Sequence, residues 1–315
     1  MSIFEQYYTK ADFVDRYAGD PHHAVDVVIP VYHTNELWRA NLLSIYREIP
    51  VRRLLISDGG CVDNSIDVVR EFPRVEVFDH RSAKTLGICI AELIKQVTAD
   101  WFVYLHSDVY LPEGWFDQMV KHQGQYDWFG CPMNITVMVN YRLDCPDRPY
   151  AGSQMGRRAA FFPSLNRLED DFVYRQEDFV FKQIVEDNGF KEGKIEDTFH
   201  YHQVMFRQSK GFDLNVQAVN VICKTDEAEK KRATVMQLYG LIKYVRPSTL
   251  WLINNFSESA FSALDNGYLS FDEIDTFIGR TNPEWKSYFN RRIVWKRKLR
   301  AWLTMVKRLV ERSMR

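Results

Sequence analysis

The first hundred residues alternate short apolar runs with stretches of helical spacing. Val25 to Val31 (VDVVIPV) is a β-branched run closed by Pro30-Val31, the pattern of a buried strand. Asn35 to Glu48 follows, with Trp38, Leu42 and Ile45 at i, i+4 and i+7, which places them on one helix face. Leu54-Leu55-Ile56 predicts a second strand. Asp63 to Glu71 predicts a short helix with Asp63 as its N-cap. Val75 to Phe78, Leu86 to Val97 and Trp101 to Leu105 predict a strand, a helix and a strand. Strands and helices in strict alternation predict an α/β fold: a mainly parallel sheet flanked by crossover helices. Such sheets bind ligands at the carboxyl ends of their strands.

The pattern is less regular beyond residue 120. Trp128-Phe129 and Ile135 to Val139 read as strands, and Glu177 to Glu186 as a helix. Cys145 to Gly156, rich in Pro, Gly and charge, reads as a loop. Lys194 to His202 reads as one strand. Its Ile195, Asp197, Phe199 and Tyr201 face one way, and Glu196, Thr198, His200 and His202 the other. From about Glu227 the spacing is mainly helical. The expected organisation is an N-terminal extension (1–23), an α/β domain (24–225) and a helical C-terminal region (226–315).

Charge changes this picture at one place. Lys plus Arg number 41 and Asp plus Glu 42, but ten of the bases and a single acid fall between Arg291 and Arg315. An acidic body therefore carries a basic C-terminal segment, and nothing global points to nucleic acid. The 14% aromatic content argues against a disordered chain. Five cysteines, odd in number and without a CxxC pair, suggest free thiols in a reducing compartment. The N-terminal MSIFEQYYTKADFVDRY lacks a signal-peptide core, and no apolar run is long enough to span a bilayer. The expected location is cytoplasmic, free or peripheral on a cytosolic membrane face.

Polar punctuation falls at the predicted strand ends. In ISDGGCVDNS (56–65) a strand delivers Asp58 into a Gly-Gly turn. A carboxylate there would accept hydrogen bonds from a base or ribose, and Gly59 permits close approach. The segment also reads as an ordinary strand–turn–helix junction. In LHSDVYLPEGW (105–115) the strand ends on His106-Ser107-Asp108. A carboxylate here would hold a divalent cation against a diphosphate, or merely cap the next element. Glu177-Asp178 opens a helix, where acids also favour the dipole; the chemical reading is a general base. His200 and His202 share a strand face, which suits a metal site or two satisfied imidazoles. No Ser-His-Asp order, Walker loop or GxGxxG competes for the role.

In order and spacing these segments resemble the large inverting family of GT-A glycosyltransferases often numbered two, over about Ala24 to His202. The shared pattern is Pro30-Val31-Tyr32 after the first strand, Ser57 to Ser65 after the second, and His106-Ser107-Asp108 with Pro112 after the fourth. Glu177-Asp178 and a later His complete it. Two positions depart: Ser57 and His106 each stand where the family carries an Asp. The second departure leaves Asp108 as the single acid of its motif and puts His106 where it would face the metal or the sugar. The resemblance implies a nucleotide-sugar donor, most simply a UDP-sugar, and direct displacement at the anomeric carbon. It places Pro30, Tyr32, Asp58, Gly59, Ser107 and Asp108 at the nucleotide, with Lys84 and Arg81, before the third helix, where the family often has a basic or polar nucleotide contact. Asp108 with His200 or His202 would hold Mn²⁺ or Mg²⁺. Asp178, with Glu177 beside it, would be the catalytic base. Arg157-Arg158 would meet a diphosphate or an anionic acceptor, or lie on the surface. The implied acceptor is a glycan, a lipid-linked precursor or a protein, for a hexosyl- or N-acetylhexosaminyl-transferase.

Two further segments lie near the C-terminus. Ser262 to Glu273 half-matches a calcium loop, but Leu264 at its third position cannot ligate, and Ser270-x-x-Glu273 explains the pattern as a capping box. Trp295, Leu299, Trp302, Leu303, Val306, Leu309 and Val310 form a helical stripe flanked by Lys and Arg. Such a helix lies in an anionic membrane interface, or packs on the body or on a second copy. Two other readings of the chain stand beside the transferase. A nucleotidyltransferase has a related sheet, but PVYHTNELW lacks the Gly-rich basic loop. A non-catalytic binding or assembly module would fit Ser57 and His106.

Overall fold

The computed structural model describes residues 12–32, 34, 37–61, 63–83, 86–134, 150–162, 164–165, 177–202, 238, 250–265, 267, 269–279 and 282–313. The predicted alternation is present. The elements are β1 (Val25–Val31), α1 (Trp38–Glu48), β2 (Val51–Asp58), α2 (Ser65–Arg70), β3 (Val75–Asp79), α3 (Leu86–Gln96), β4 (Trp101–Leu105), β5 (Val109–Tyr110) and α4 (Trp115–Val120). They continue with β6 (Trp128–Gly130), β7 (Met133–Asn134), β8 (Ser153–Arg157), α5 (Glu177–Asp187), β9 (Glu192–Lys194) and β10 (His200–His202). Helices α6 (Leu250–Asp265), α7 (Phe271–Phe277) and α8 (Arg291–Ser313) follow.

Among the described residues the main sheet has seven strands in the order β3-β2-β1-β4-β8-β6-β9. β1, β2, β3 and β4 run parallel, β8 runs antiparallel to β4 and β6, and β9 is parallel to β6. The sheet is therefore mixed and mainly parallel, flanked by helices. All seven residues of β1 are buried, as expected of a strand covered on both faces. Val27, Ile29, Leu54, Ile56, Val103 and Leu105 share one core with Trp38, Leu42 and Ile45 of α1 and Trp115, Phe116 and Met119 of α4. Helix α3 packs against β1 and β2 with Ile90, Leu93 and Ile94 fully buried.

One charge interrupts the apolar β1. Asp26 is fully buried and takes two 3.0 Å hydrogen bonds from Arg52 and one of 2.8 Å from the Thr98 N–H. It clamps the amino ends of β1 and β2 to the segment entering β4. The described part of the N-terminal segment is tied down as well: Arg74 donates to both oxygens of Asp15 at 2.7 and 2.9 Å.

Three expectations need correction. Residues 153–157, placed in a loop, form β8 in the interior of the sheet. Ser153-Gln154-Met155-Gly156 has little hydrophobic signal, yet the strand is buried because β4 and β6 pair with it on both sides. Gly156 is needed there: a Cβ would lie 2.7 Å from Trp128 and 2.9 Å from Phe102. Lys194 to His202 is not one strand. β9 belongs to the main sheet, and β10 to a second sheet of order β5-β10-β7, so residues 195–199 cross between sheets. Asp63 does not occupy the cap position itself; Asn64 does, and Asp63 accepts the Ser65 N–H at 3.0 Å from one residue upstream. The expected strand at 135–139 lies outside the described residues.

The chain divides into two compact units. One comprises Met1–Phe172 with Phe181–Thr225, the other Val173–Val180 with Asp226–Arg315. The second unit has its own core of Phe256, Ala260, Ile274, Ile278, Trp285 and Tyr288. Ser270 and Glu273 form both halves of a capping box on α7, as the local pattern suggests. Among the described residues no helix is long and apolar enough to cross a membrane.

Candidate active site

The chain runs outward from β1 through β2 to β3, then returns to the other side of β1 as β4. β1 and β4 pair only over Asp26–Val28 and Phe102–Tyr104, so they part company toward their carboxyl ends. A reversal of strand order with diverging ends is where open α/β sheets take ligands. Pro30 sits beyond the last rung with β4, where its missing N–H breaks no ladder on that side.

Tyr32 follows β1 directly. Gly59, at the end of β2, donates its N–H to the Val31 carbonyl at 2.8 Å. A Cβ on Gly59 would come within 3.2 Å of both the Tyr32 ring and that carbonyl. The absent side chain lets the two strand ends lie together. Asp58, buried beside it, accepts from the N–H groups of Gly60 (2.9 Å) and Cys61 (2.8 Å) and from Arg81 (3.2 Å). Burial alone would raise its carboxyl, but the backbone donors and the guanidinium outweigh it and hold the carboxyl below its ordinary value. Ser57, one residue earlier, is fully buried and bonded to His80 Nδ1 at 2.8 Å. Arg81 thus pairs with Asp58 and is largely exposed. Lys84 lies outside the described residues.

The second group gathers at the end of β4. Asn41, buried on α1, donates to the Ser107 carbonyl at 2.9 Å. The His106 N–H donates to the Gly152 carbonyl at 2.9 Å. β10 pairs antiparallel with β5, setting His202 opposite Val109 and so next to Asp108. His202 Nε2 lies 3.4 Å from His106 Nδ1 and 3.6 Å from Asp108 Oδ1. One ligand atom from each of His106, Asp108 and His202 falls within 4.8 Å of the others. Bonds of about 2.1 Å to a common ion would put such atoms roughly 3.0–3.4 Å apart, so the trio suits a first-row divalent cation.

Two observations support that fit. Gly152 has φ +85°, and a Cβ on it would stand 3.0 Å from His106 Nδ1 and 3.2 Å from His202 Cδ2. A space shaped by a glycine lies against both imidazoles. Burial depresses the His202 imidazole against the opposing pull of Asp108, and so keeps it neutral, the form that ligates. Tyr104 Oη is 2.7 Å from His106 Nε2. With the proton on Nε2, the Nδ1 lone pair faces Asp108 and His202.

His200, the alternative ligand, lies outside the trio. It is fully buried with Nδ1 2.7 Å from Ser153 Oγ, and burial drives its imidazole well below the ordinary value. Glu177 and Asp178 form the first turn of α5, Glu177 buried and Asp178 half-buried. Arg157 and Arg158 are removed from the strand ends. Arg157 pairs with Trp101 at the start of β4, and Arg158 donates to the Val97 carbonyl at 2.7 Å. Antiparallel pairing of β8 puts them at the amino end of β4, opposite the strand ends that carry Asp58 and Asp108, which overturns their reading as diphosphate contacts.

Tyr104 and Gly152 are the site residues that sequence reasoning missed. Tyr104 had a signal: it stands two residues before His106 and shares its strand face. Gly152 had none, because nothing in its neighbourhood distinguishes a turn glycine from one pressed against two histidines.

Residues 26–142 match the model of the family described as Glycosyl transferase family 2. The match makes that segment similar to the family and leaves the rest of the chain outside it. No curated protein sequence matches the chain. The structure of S. aureus TarS 1-349 in complex with UDP-GlcNAc is similar at TM-score 0.51 and 12% identity, over 85% of this chain and 82% of that one. The likeness is one of fold, and that fold is GT-A. At lower scores stand two others. The mannosyltransferase PcManGT from Pyrobaculum calidifontis, in complex with GDP-Man and Mn²⁺, has TM-score 0.43, 12% identity and coverage of 87% and 89%. A 4-diphosphocytidyl-2C-methyl-D-erythritol synthase from Anaerococcus prevotii has TM-score 0.42, 9% identity and coverage of 57% and 89%. The family 2 match stops at residue 142, whereas His202 and Gly152 of the trio's surroundings lie beyond it.

Proposed function

We propose that the chain is an inverting glycosyltransferase that moves a sugar from a nucleotide diphosphate sugar, a UDP-sugar foremost, to a hydroxyl of a glycan, lipid-linked or protein acceptor. The observation that carries the reading is the His106–Asp108–His202 trio at the end of β4, in a chain whose residues 26–142 match the family 2 model and whose β2 ends on the Asp58 turn. The transferase domain is taken as residues 24–225, since β8, β9 and β10 complete the sheets that hold the trio, and 226–315 as the helical region.

A divalent cation bound by the trio would neutralise the diphosphate leaving group. The protein's own groups do the rest. The Asp58 turn and Tyr32 receive the nucleoside, with Arg81 adding positive charge at that edge. The Asp178 carboxylate takes the proton of the acceptor hydroxyl. The freed oxygen attacks the anomeric carbon, and the bond to the diphosphate breaks with its electron pair leaving on the nucleotide. One carboxylate is sufficient for this single displacement with inversion. Glu177 supports the same helix start.

Incubation with Mn²⁺ and a panel of nucleotide sugars should release a nucleoside diphosphate from at least one of them. Asp178→Asn should lower turnover by about 10²–10⁴-fold and leave donor affinity intact. Retained turnover would move the base elsewhere. Donor binding without transfer to any acceptor or to water would favour the non-catalytic module, and release of pyrophosphate from a nucleoside triphosphate the nucleotidyltransferase.

A further inference from the structure

Helix α8 leaves most of its described apolar stripe in solvent. Trp295 is 65% exposed, Trp302 54%, Leu303 51%, Val310 52% and Leu299 37%. At about 100° per residue, these five and Val306 fall within an arc of roughly 100°. Lys298 borders one side of the arc, and Lys296 and Arg300 the other. The helix is anchored by another edge. Val294, 6% exposed, projects well away from the arc, and the Arg291 guanidinium lies 4.8 Å from the Phe261 ring centroid on α6. Among the described side chains, the contacts that anchor α8 in the second unit therefore include an edge outside the stripe.

We infer that this face of α8 is a docking surface for an anionic lipid bilayer. Two indoles seven residues apart on one arc would lie at the level of the headgroups, with Leu299 and Leu303 between them reaching the acyl boundary. Lysines on both borders would meet lipid phosphates while their stems stay along the apolar face. Charge decides against a second copy as the occupant. Helix pairs that associate by such a stripe place opposite charges along its borders. Here Lys296, Lys298 and Arg300 are all basic, so two α8 stripes face to face would set basic rows against basic rows in either orientation. The inference is independent of the transferase chemistry, because binding to lipid requires neither donor nor acceptor.

Co-sedimentation of the full chain with vesicles is the test. At low salt the protein should pellet with phosphatidylcholine vesicles containing about one third phosphatidylglycerol, and be released by high salt. Pure phosphatidylcholine vesicles should hold it at least tenfold less well. Lys296→Glu with Lys298→Glu, both at exposed positions, should lower partition into anionic vesicles about tenfold or more. Trp295→Ser with Trp302→Ser should do the same, with circular dichroism and melting temperature unchanged. Absence of pelleting with anionic vesicles at low salt overturns the proposal. So does equal binding to neutral vesicles, or a dimer in sedimentation velocity that the double Trp variant converts to monomer.

Discussion

His106 and His202, 96 positions apart in the chain, face each other with Nδ1 and Nε2 separated by 3.4 Å. The contact joins the end of a parallel strand to a short strand of a different sheet. Both imidazoles then stand beside Asp108, which gives a donor set of two nitrogens and one carboxylate. Imidazole favours the later first-row metals, whereas Mg²⁺ favours oxygen. The expected order of affinity is Co²⁺ above Mn²⁺ above Mg²⁺, measured by isothermal titration in the absence of donor. His202→Ala or His106→Ala should weaken Mn²⁺ binding by at least tenfold. His106→Asp should narrow the gap between Mn²⁺ and Mg²⁺. Equal Mg²⁺ and Co²⁺ affinities would show that the imidazoles do not ligate.

Tyr104→Phe separates orientation from ligation. It deletes the hydroxyl at His106 Nε2 and leaves the ring packing against Trp128 in place. Mn²⁺ affinity should fall by about tenfold while the melting temperature of the metal-free protein changes little. An unchanged affinity would mean that packing alone sets the His106 ring.

Gly152→Ala strains two things at once. The positive φ costs a non-glycine residue about 1–2 kcal/mol, and the new methyl must displace His106 or His202. Both melting temperature and Mn²⁺ affinity should drop. Gly114→Ala is the control, since it shares the positive φ but has open space around its Cβ; it should lose stability and keep metal affinity.

Asp26 predicts a stability effect remote from the chemistry. Asp26→Ala removes the carboxylate that Arg52 grips and leaves the Thr98 N–H without that acceptor. The expected loss is about 1–2 kcal/mol in urea unfolding, because the remaining Arg52 is partly exposed and can be solvated. Asp26→Asn keeps an acceptor oxygen and should lose less.

Acid should destabilise the metal-free protein in two stages. His80 is pushed below the ordinary imidazole value by burial, so the unfolded chain takes up a proton first. Stability is then full above the unfolded imidazole value and declines as pH falls below it. Asp58 is held below the ordinary carboxyl value, so its contribution is present above the unfolded carboxyl value and disappears as pH falls through the folded one. His80→Gln should flatten the first stage in a series of melting curves. It removes only part of that slope, because His200 and His202 are shifted in the same direction.

The sequence made the first half of the fold legible because burial and period coincide there. β1 is apolar throughout and buried throughout, and α1 shows its core face as Trp38, Leu42 and Ile45. β8 was illegible for the opposite reason. Its Ser153 and Gln154 are buried by strand pairing and by a hydrogen bond to His200, and Gly156 by its lack of a side chain. None of these is a hydrophobic signal. Period-two alternation put His200 and His202 on one face, where both are indeed buried, but could not tell which one meets Asp108. That choice depends on the register of β10 against β5, a pairing between segments too distant and too short to read from the chain.

The β5–β10 ladder also sets the order in which the molecule acquires its parts. Val109 and Tyr110 find their partners only when residues 201 and 202 arrive. A nascent chain that has released residues 1 to 110 already holds β1, β2, β3 and β4, with Tyr32 and Asp58 in sequence reach of one another. It still lacks His202, and so lacks a complete donor set. Capture of a metal ion by the trio would therefore mark the closing stage of this domain's biogenesis, after the half that carries Tyr32 and Asp58 has had time to form.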